Sequence, residues 1–176
     1  MIENNLDKID FFKDPITLII SIVGLVIALI TYFSSRKHNR LSVKPIAYIL
    51  PQDYEDKICV VLQNKGTGPL ISTSINFKNI KTNKNEKSLI NHMSSLKNDY
   101  TWSDFSKAQK FVLSPDENKI LLELKGNPED KKFIENRDLI RKQLADIEIN
   151  IRYTSVYNEF CKEKLKYKLD WYARNK

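Results

Sequence analysis

Near its N-terminus the chain becomes apolar on every face. Residues 16–33, ITLIISIVGLVIALITYF, hold 18 positions with no charge, Pro, Asn or Gln. At about 1.5 Å per residue the run is roughly 27 Å of helix, near the thickness of bilayer hydrocarbon. A helix in a globular core is rarely apolar all round, so the pattern predicts a transmembrane helix over 16–33. Asp14 and Pro15 suit its entry, as cap and first helical residue. A cleaved secretory signal needs a basic start and a small-residue cleavage site. Here Glu3, Asp7, Asp10 and Asp14 outweigh Lys8 and Lys13, and Tyr32-Phe33-Ser34-Ser35 offers no such site. Residues 1–15 read as a short extracytoplasmic segment. Its Ile2, Leu6, Ile9 and Phe12, at helical spacing, suit either the membrane interface or a frayed terminus.

Within the span, Thr17, Ser21, Gly24, Ala28 and Thr31 are the non-bulky residues. Spacings of four, three, four and three put them on one stripe. Small residues let helix backbones approach, and hydroxyls can bond across the contact. The stripe predicts self-association, or pairing with another membrane helix.

Beyond residue 41 the pattern changes to short strands. The expected strands are 43–50, 57–63, 71–77, 111–113, 119–125, 147–153 and 164–171. The run KICVVLQ is continuously apolar up to Gln63, as in a central strand. Ile147, Ile149, Ile151 and Tyr153 alternate with Glu148, Asn150 and Arg152; Leu165, Tyr167, Leu169 and Trp171 alternate with Lys164, Lys166, Lys168 and Asp170. These last two strands should form a hairpin through 157–159. Residues 151 and 165 must share a face, so paired numbers must have an even sum. The turn then needs an odd number of residues or a bulge. Two helices interrupt the strands. One is expected over 128–144, with Asn127 as cap, Pro128 as first residue and Phe133, Ile134, Ile140 and Leu144 as its apolar stripe. A weaker one covers 88–96. NIKTNKNEK, residues 79–87, reads as an exposed loop. Seven short strands predict a mainly β fold: an antiparallel sandwich of two sheets over 42–176 with one or two inserted helices.

Charge adds topology. The 176 residues carry 29 Lys+Arg and 22 Asp+Glu, a net +7. Arg36, Lys37, Arg40 and Lys44 follow the span, with no acid in 34–44. Basic flanks stay in the cytoplasm and face anionic lipid. Residues 34–41 then read as a basic juxtamembrane connection. The expected location is the inner (plasma) membrane, with residues 1–15 outside and 42–176 cytoplasmic. The mean hydropathy of −0.43 averages the span with a polar domain.

Asn64-Lys65-Gly66-Thr67-Gly68-Pro69 follows the buried strand and comes soon after a Val-Lys-Pro strand behind the membrane helix. Later come Leu113-Ser114-Pro115 before a strand and Ile151-Arg152-Tyr153 before a final hairpin. Over roughly residues 16–171 the chain resembles a widespread group of uncharacterised bacterial single-pass membrane proteins. They carry a cytoplasmic immunoglobulin-like domain with an Asn-x-Gly-x-Gly-Pro turn. The resemblance implies that fold. Leu70 stands where that pattern usually has Ala, Asp116 where Gly is common, and the 128–144 helix is an insertion. Independently, Gly66 and Gly68 offer positive φ, Pro69 fixes φ and Asn64 bonds nearby amides, so the segment reads as a structural turn between sheets. No Lys-Ser/Thr follows, so it is not a phosphate loop.

Catalytic chemistry is sparse. His38 and His92 have no partner at triad or ligand spacing, and no hydrolase, zinc-protease or dinucleotide motif occurs. Cys59 reads as a core residue and Cys161 as a free thiol past the hairpin turn. No cofactor, metal or duplex nucleic acid is expected. Arg152, Lys164, Lys166 and Lys168 form a candidate patch for an anionic small ligand, with Tyr157, Trp171 and Tyr172 as aromatic neighbours. The leading expectation is a membrane-tethered, non-catalytic interaction module that self-associates in the bilayer. Its competitor is a signal-gated membrane effector binding an anionic messenger such as a cyclic nucleotide. By analogy, small membrane effectors of bacterial antiviral defence share this layout. A third reading is an enzyme subunit with a catalytic partner encoded elsewhere.

Overall fold

The computed structural model describes residues 15–97, 100–157 and 163–174. Residues 1–14, which include Asp14, and residues 158–162, which hold Cys161 and most of the expected 157–159 turn, lie outside them. The chain divides into two compact units, at Met1–Leu41 and Ser42–Lys176.

Helix α1 spans Pro15–Ser42 and is long and apolar enough to cross a membrane. None of its residues is buried by the rest of the chain. It does not stop at Phe33: the stretch read as a connection, 34–41, is helical. That stretch has no Gly or Pro, and membrane thickness limits only the apolar part of a helix.

Two antiparallel sheets build the second unit. The first has the order β1-β2-β7-β5, with β1 at Ala47–Asp53, β2 at Lys57–Asn64, β7 at Asn118–Lys125 and β5 at Asp104–Phe105. The second has the order β4-β3-β8-β9, with β4 at Asn85–Glu86, β3 at Leu70–Asn79, β8 at Ile147–Thr154 and β9 at Glu163–Lys168; β6, Val112–Leu113, also pairs with β3. Nine strands thus occur among the described residues, against seven expected. The extra β4 lies inside the stretch read as a loop. Asn83, at φ 57°, turns the chain so that β4 can return along β3. The first strand begins at Ala47, four residues later than expected; α1 ends at Ser42 and residues 43–46 form a turn and link outside the ladder.

Hydrophobic side chains meet between the sheets: Ile49, Val60, Leu62 and Leu122 from the first, Ile75, Phe77, Ile149 and Ile151 from the second. Each fully buried side chain of this size contributes about 1.5–3 kcal/mol. Strand β2 is buried on both faces from Ile58 to Asn64, as its unbroken apolar run predicts. The β8–β9 hairpin pairs Ile151 with Leu165 and Ile149 with Tyr167, an even sum as the face rule demands. However, β9 ends at Lys168, and Trp171 sits in a 3₁₀ turn over Asp170–Arg174.

Helix α2, Lys131–Leu144, joins β7 to β8. The expected Asn127 cap is displaced. The Asn127 side chain accepts from Glu129 N at 2.9 Å and makes a local turn, so Asp130 becomes the cap and accepts from Lys132 N at 2.9 Å. Phe133, Ile140 and Leu144 are buried beside Asn136. The buried Asn136 amide bonds the Lys97 backbone in both directions. Arg141 makes a two-pronged bond to Asp53 of β1, at 2.9 and 2.8 Å. The Tyr172 hydroxyl donates to the Cys59 carbonyl at 2.6 Å. The weaker expected helix over 88–96 is only a 3₁₀ turn, Leu89–His92, whose Ser88 makes no side-chain cap bond.

Candidate functional site

Two assemblies in the second unit combine exposed or exceptional chemistry with defined geometry. The first is the Asn64–Pro69 turn, which links β2 of one sheet to β3 of the other. Asn64 is fully buried. Its side-chain carbonyl accepts from Ile46 N at 3.2 Å and Gly66 N at 3.0 Å. Its amide donates to the carbonyls of Gly68 at 2.8 Å and Leu113 at 3.1 Å. Neither Gly66 nor Gly68 has a positive φ, contrary to the expectation. They are needed for close approach instead. A Cβ at Gly66 would strike Lys44 O and lie 2.5 Å from Ile46 N; at Gly68 it would strike Val43 O. Thr67 Oγ1 donates to Ser42 O at 2.6 Å, and Lys65 N to Ile46 O at 2.8 Å. The turn therefore clasps residues 42–46. Pro69, half-buried, leads into β3. Sequence spacing reveals the turn but not what it holds.

The second assembly is the outer face of the β4-β3-β8-β9 sheet. Strand register aligns three rungs: Ser74–Arg152–Lys164, Asn76–Asn150–Lys166 and Lys78–Glu148–Lys168. The third rung is complementary, with a buried carboxylate between two lysines. Glu148 accepts from Asn150 Nδ2 at 3.1 Å and pairs with Lys166 at 3.2 Å. The Asn150 bond, then Lys166, holds its carboxyl below the usual carboxylate range. The first rung has the opposite character. Arg152 and Lys164 lie directly opposite, and no acidic side chain among the described residues pairs with either. Like charges opposed in a ladder are destabilising.

Around that rung lies a concavity of about 460 Å³, lined by Ser74, Asn76, Asn85, Asn150, Arg152 and Lys164, with Ile151 and Leu165 at its floor. The four-residue basic patch is thus divided. Arg152 and Lys164 line the groove, Lys166 is held by Glu148, and Lys168 sits at the complementary rung. Ser74, Asn76 and Asn85 were not expected there; only the folded register brings them alongside. The aromatic neighbours are elsewhere. Tyr172 is buried, Trp171 packs edge-on against it, and Arg174 covers the Trp171 ring at 3.3 Å. Tyr157, exposed, does not line the groove.

Another concavity, of about 470 Å³, lies beside α2, but most of its charges are already engaged. Arg141 is held by Asp53 and Asp138, and Lys81 by Asp146 at 2.7 Å.

The remaining singled-out residues fall as follows. Arg36, Lys37 and Arg40 are exposed on α1, and Arg36 contacts the Tyr32 hydroxyl at 3.4 Å. Lys44 lies past the helix and pairs with Glu163 at 2.9 Å. Ser21 and Thr31 donate to the carbonyls four residues back, Thr17 and Ile27, at 2.8 Å each. Their O–H donors are therefore used inside the helix, which leaves the hydroxyl oxygens as acceptors only and Gly24 and Ala28 as the close-approach positions. His92 Nε2 meets the Phe77 carbonyl at 2.9 Å. Cys59 is buried in the core at 1% exposure, as expected, on the face of β2 that alternates with Ile58 and Val60 and opposite Glu123 in the ladder. Burial, then Glu123, pushes its thiol up to about 12. No family model, curated protein or solved structure matches the chain.

Proposed function

We propose that the protein is a membrane-tethered, non-catalytic interaction module that self-associates through α1. The observation that carries this reading is the exposure of the helix: from Ile16 to Phe33 every large apolar side chain is about half exposed or more. So much contiguous apolar surface is stable only against lipid or another protein. Arg36, Lys37 and Arg40 favour a cytoplasmic C-terminal unit at the inner membrane. Gly24 and Ala28, with Thr17, Ser21 and Thr31 beside them, offer the contact stripe.

The second unit is read as an immunoglobulin-like domain of the bacterial membrane-protein group that the sequence resembles. The support is strand order. β1-β2-β7-β5 against β4-β3-β8-β9 parallels A-B-E-D against C′-C-F-G, with α2 inserted between E and F. Unlike antibody domains, Cys59 on the second strand faces away from the opposite sheet.

The test is cross-linking of the full chain in nanodiscs. Gly24→Leu with Ala28→Leu should reduce the dimer band severalfold, and unchanged cross-linking would remove the stripe from the reading. Labelling of a cysteine placed before Pro15 from outside intact cells should succeed; labelling only at the C-terminus would invert the topology.

The groove around Arg152 and Lys164 favours a second reading, in which an anionic messenger gates an effect on the membrane. Ligand-dependent dye efflux from vesicles holding the protein would establish it.

A further inference from the structure

We infer that the groove on the β4-β3-β8-β9 face is a binding site for a phosphate ester of a polyhydroxy compound, such as a sugar phosphate or a phosphoinositol head group. The inference deepens the second reading above by naming the ligand class, and it does not require that binding gates anything. Three observations lead to it. Arg152 and Lys164 face each other across the β8–β9 ladder without an acidic partner among the described residues, while the rung two steps away is charge-complementary. Among the described pairs of this sheet the like-charge rung stands alone, and an anion there would relieve it. A guanidinium fork beside an ammonium matches a phosphate in charge and geometry.

The rest of the lining defines the organic part. Ser74, Asn76, Asn85 and Asn150 present amides and a hydroxyl, able to donate and accept, as vicinal hydroxyls require. Asn150 already donates to Glu148, so its amide is held in one orientation. No aromatic ring lines the groove among the described residues. Nucleobase recognition without a stacking surface forgoes its main sequence-tolerant contribution. The face therefore selects against the nucleotide messenger that charge alone suggests. A volume of about 460 Å³ suits one such head group.

The test uses the full chain in phosphatidylcholine nanodiscs, with calorimetric titration of inositol 1,4,5-trisphosphate, glucose 6-phosphate, AMP and inorganic phosphate. The inositol and sugar phosphates should bind more tightly than AMP or inorganic phosphate. Arg152→Glu should weaken binding by at least about tenfold, the scale of one charge-assisted pair. The same substitution places Glu opposite Lys164, so the melting temperature should hold or rise while binding is lost. Lys107→Glu, an equal charge change in the loop after β5 and outside the groove lining, should leave binding intact. Asn76→Leu should narrow the gap between the inositol ligand and inorganic phosphate. Discs containing phosphatidylinositol phosphate separate the two sources: suppressed titration of the soluble probe identifies a lipid head group, and undiminished titration identifies a soluble ligand. Failure of every probe to bind, equal loss in Lys107→Glu, or AMP binding as tightly as the inositol phosphate overturns the inference. Binding without dye efflux overturns the gating reading and leaves the site standing.

Discussion

Replacing Gly68 with Ala tests the clasp around residues 42–46 directly. The new Cβ would overlap the Val43 carbonyl oxygen, lie 2.5 Å from its carbon and 3.0 Å from its Cα. All three are backbone atoms, so no side-chain rotation relieves the overlap. Overpacking of this kind costs about 1–3 kcal/mol. If residues 42–46 lift instead, the bonds from Thr67 Oγ1 to Ser42 and from Lys65 N to Ile46 are lost, at about 1 kcal/mol each. By either route the expected destabilisation is roughly 1–3 kcal/mol, a substantial fraction of the ~5–15 kcal/mol of a typical domain. Urea unfolding of the full chain in neutral detergent, followed by fluorescence of Trp102 and Trp171, measures it as a lower midpoint at unchanged slope. Gly24→Ala is the control for the Ser42–Lys176 unit, because nothing in the same chain lies within 4 Å of a Cβ there and the helix stripe lies outside that unit. Gly126→Ala should also lower the midpoint, since its Cβ would meet the Tyr100 hydroxyl and the ring of Phe133, which is fully buried in the core. A loss below about 1 kcal/mol at Gly68, or an equal loss at Gly24, refutes the close-approach argument.

Three further outcomes are expected. Arg141→Ala removes both guanidinium bonds from the Asp53 carboxylate, whose side chain is 2% exposed, and should cost about 3–5 kcal/mol, with Asp53→Ala in the same chain recovering part of it; additive losses would show that the pair is uncoupled. Glu148, held below its usual range, lends stability that is present above the unfolded value near ~4.3 and lost as pH falls through the folded one. Glu148→Gln should therefore flatten the acid limb of the unfolding midpoint, whereas parallel curves would deny the carboxylate that role. In a Cys161→Ser background, iodoacetamide at pH 8 should leave Cys59 unmodified until urea unfolds the chain, because its thiol is pushed up to about 12; rapid alkylation of the folded protein would contradict its burial.

How much was legible depended on the length of each periodic run. β8 alternates through most of its eight residues and β2 is unbroken, so their places and faces follow from the sequence; in β3 a register shift between Ser72 and Ser74 moves the buried positions from Leu70 and Ser72 to Ile75 and Phe77, so Ile71 and Thr73 do not share the face of Ile75 and Phe77 as their spacing suggests. β4, β5 and β6 have two residues each, too few to show any period. The end of α1 was misplaced because hydropathy reports where lipid stops suiting a helix, not where the backbone stops being one. The α2 cap moved because Asn127 and Asp130 both suit the role and local bonding chose between them. At the candidate site, Arg152 and Lys164 were readable as hairpin neighbours. Ser74, Asn76 and Asn85 were not, since their place beside that pair depends on β3 crossing to the second sheet. Glu148 was visible on the same face, but its bonds to Asn150 and Lys166, which divide the patch, are matters of geometry.

The rims of the two sheets carry one more consequence. β1 holds Pro51, which has no N–H to offer; β4, β5 and β6 are two residues long; and β9 points Lys164, Lys166 and Lys168 outward. Each is a known way of blunting an edge against strand-to-strand zipping between molecules. Copies anchored in one bilayer, as proposed, diffuse in two dimensions at a high effective concentration. Under that crowding an open edge would seed growing aggregates. Blunted rims leave the bilayer helix as the surface on which neighbours can meet, so that crowding yields defined pairs rather than fibres.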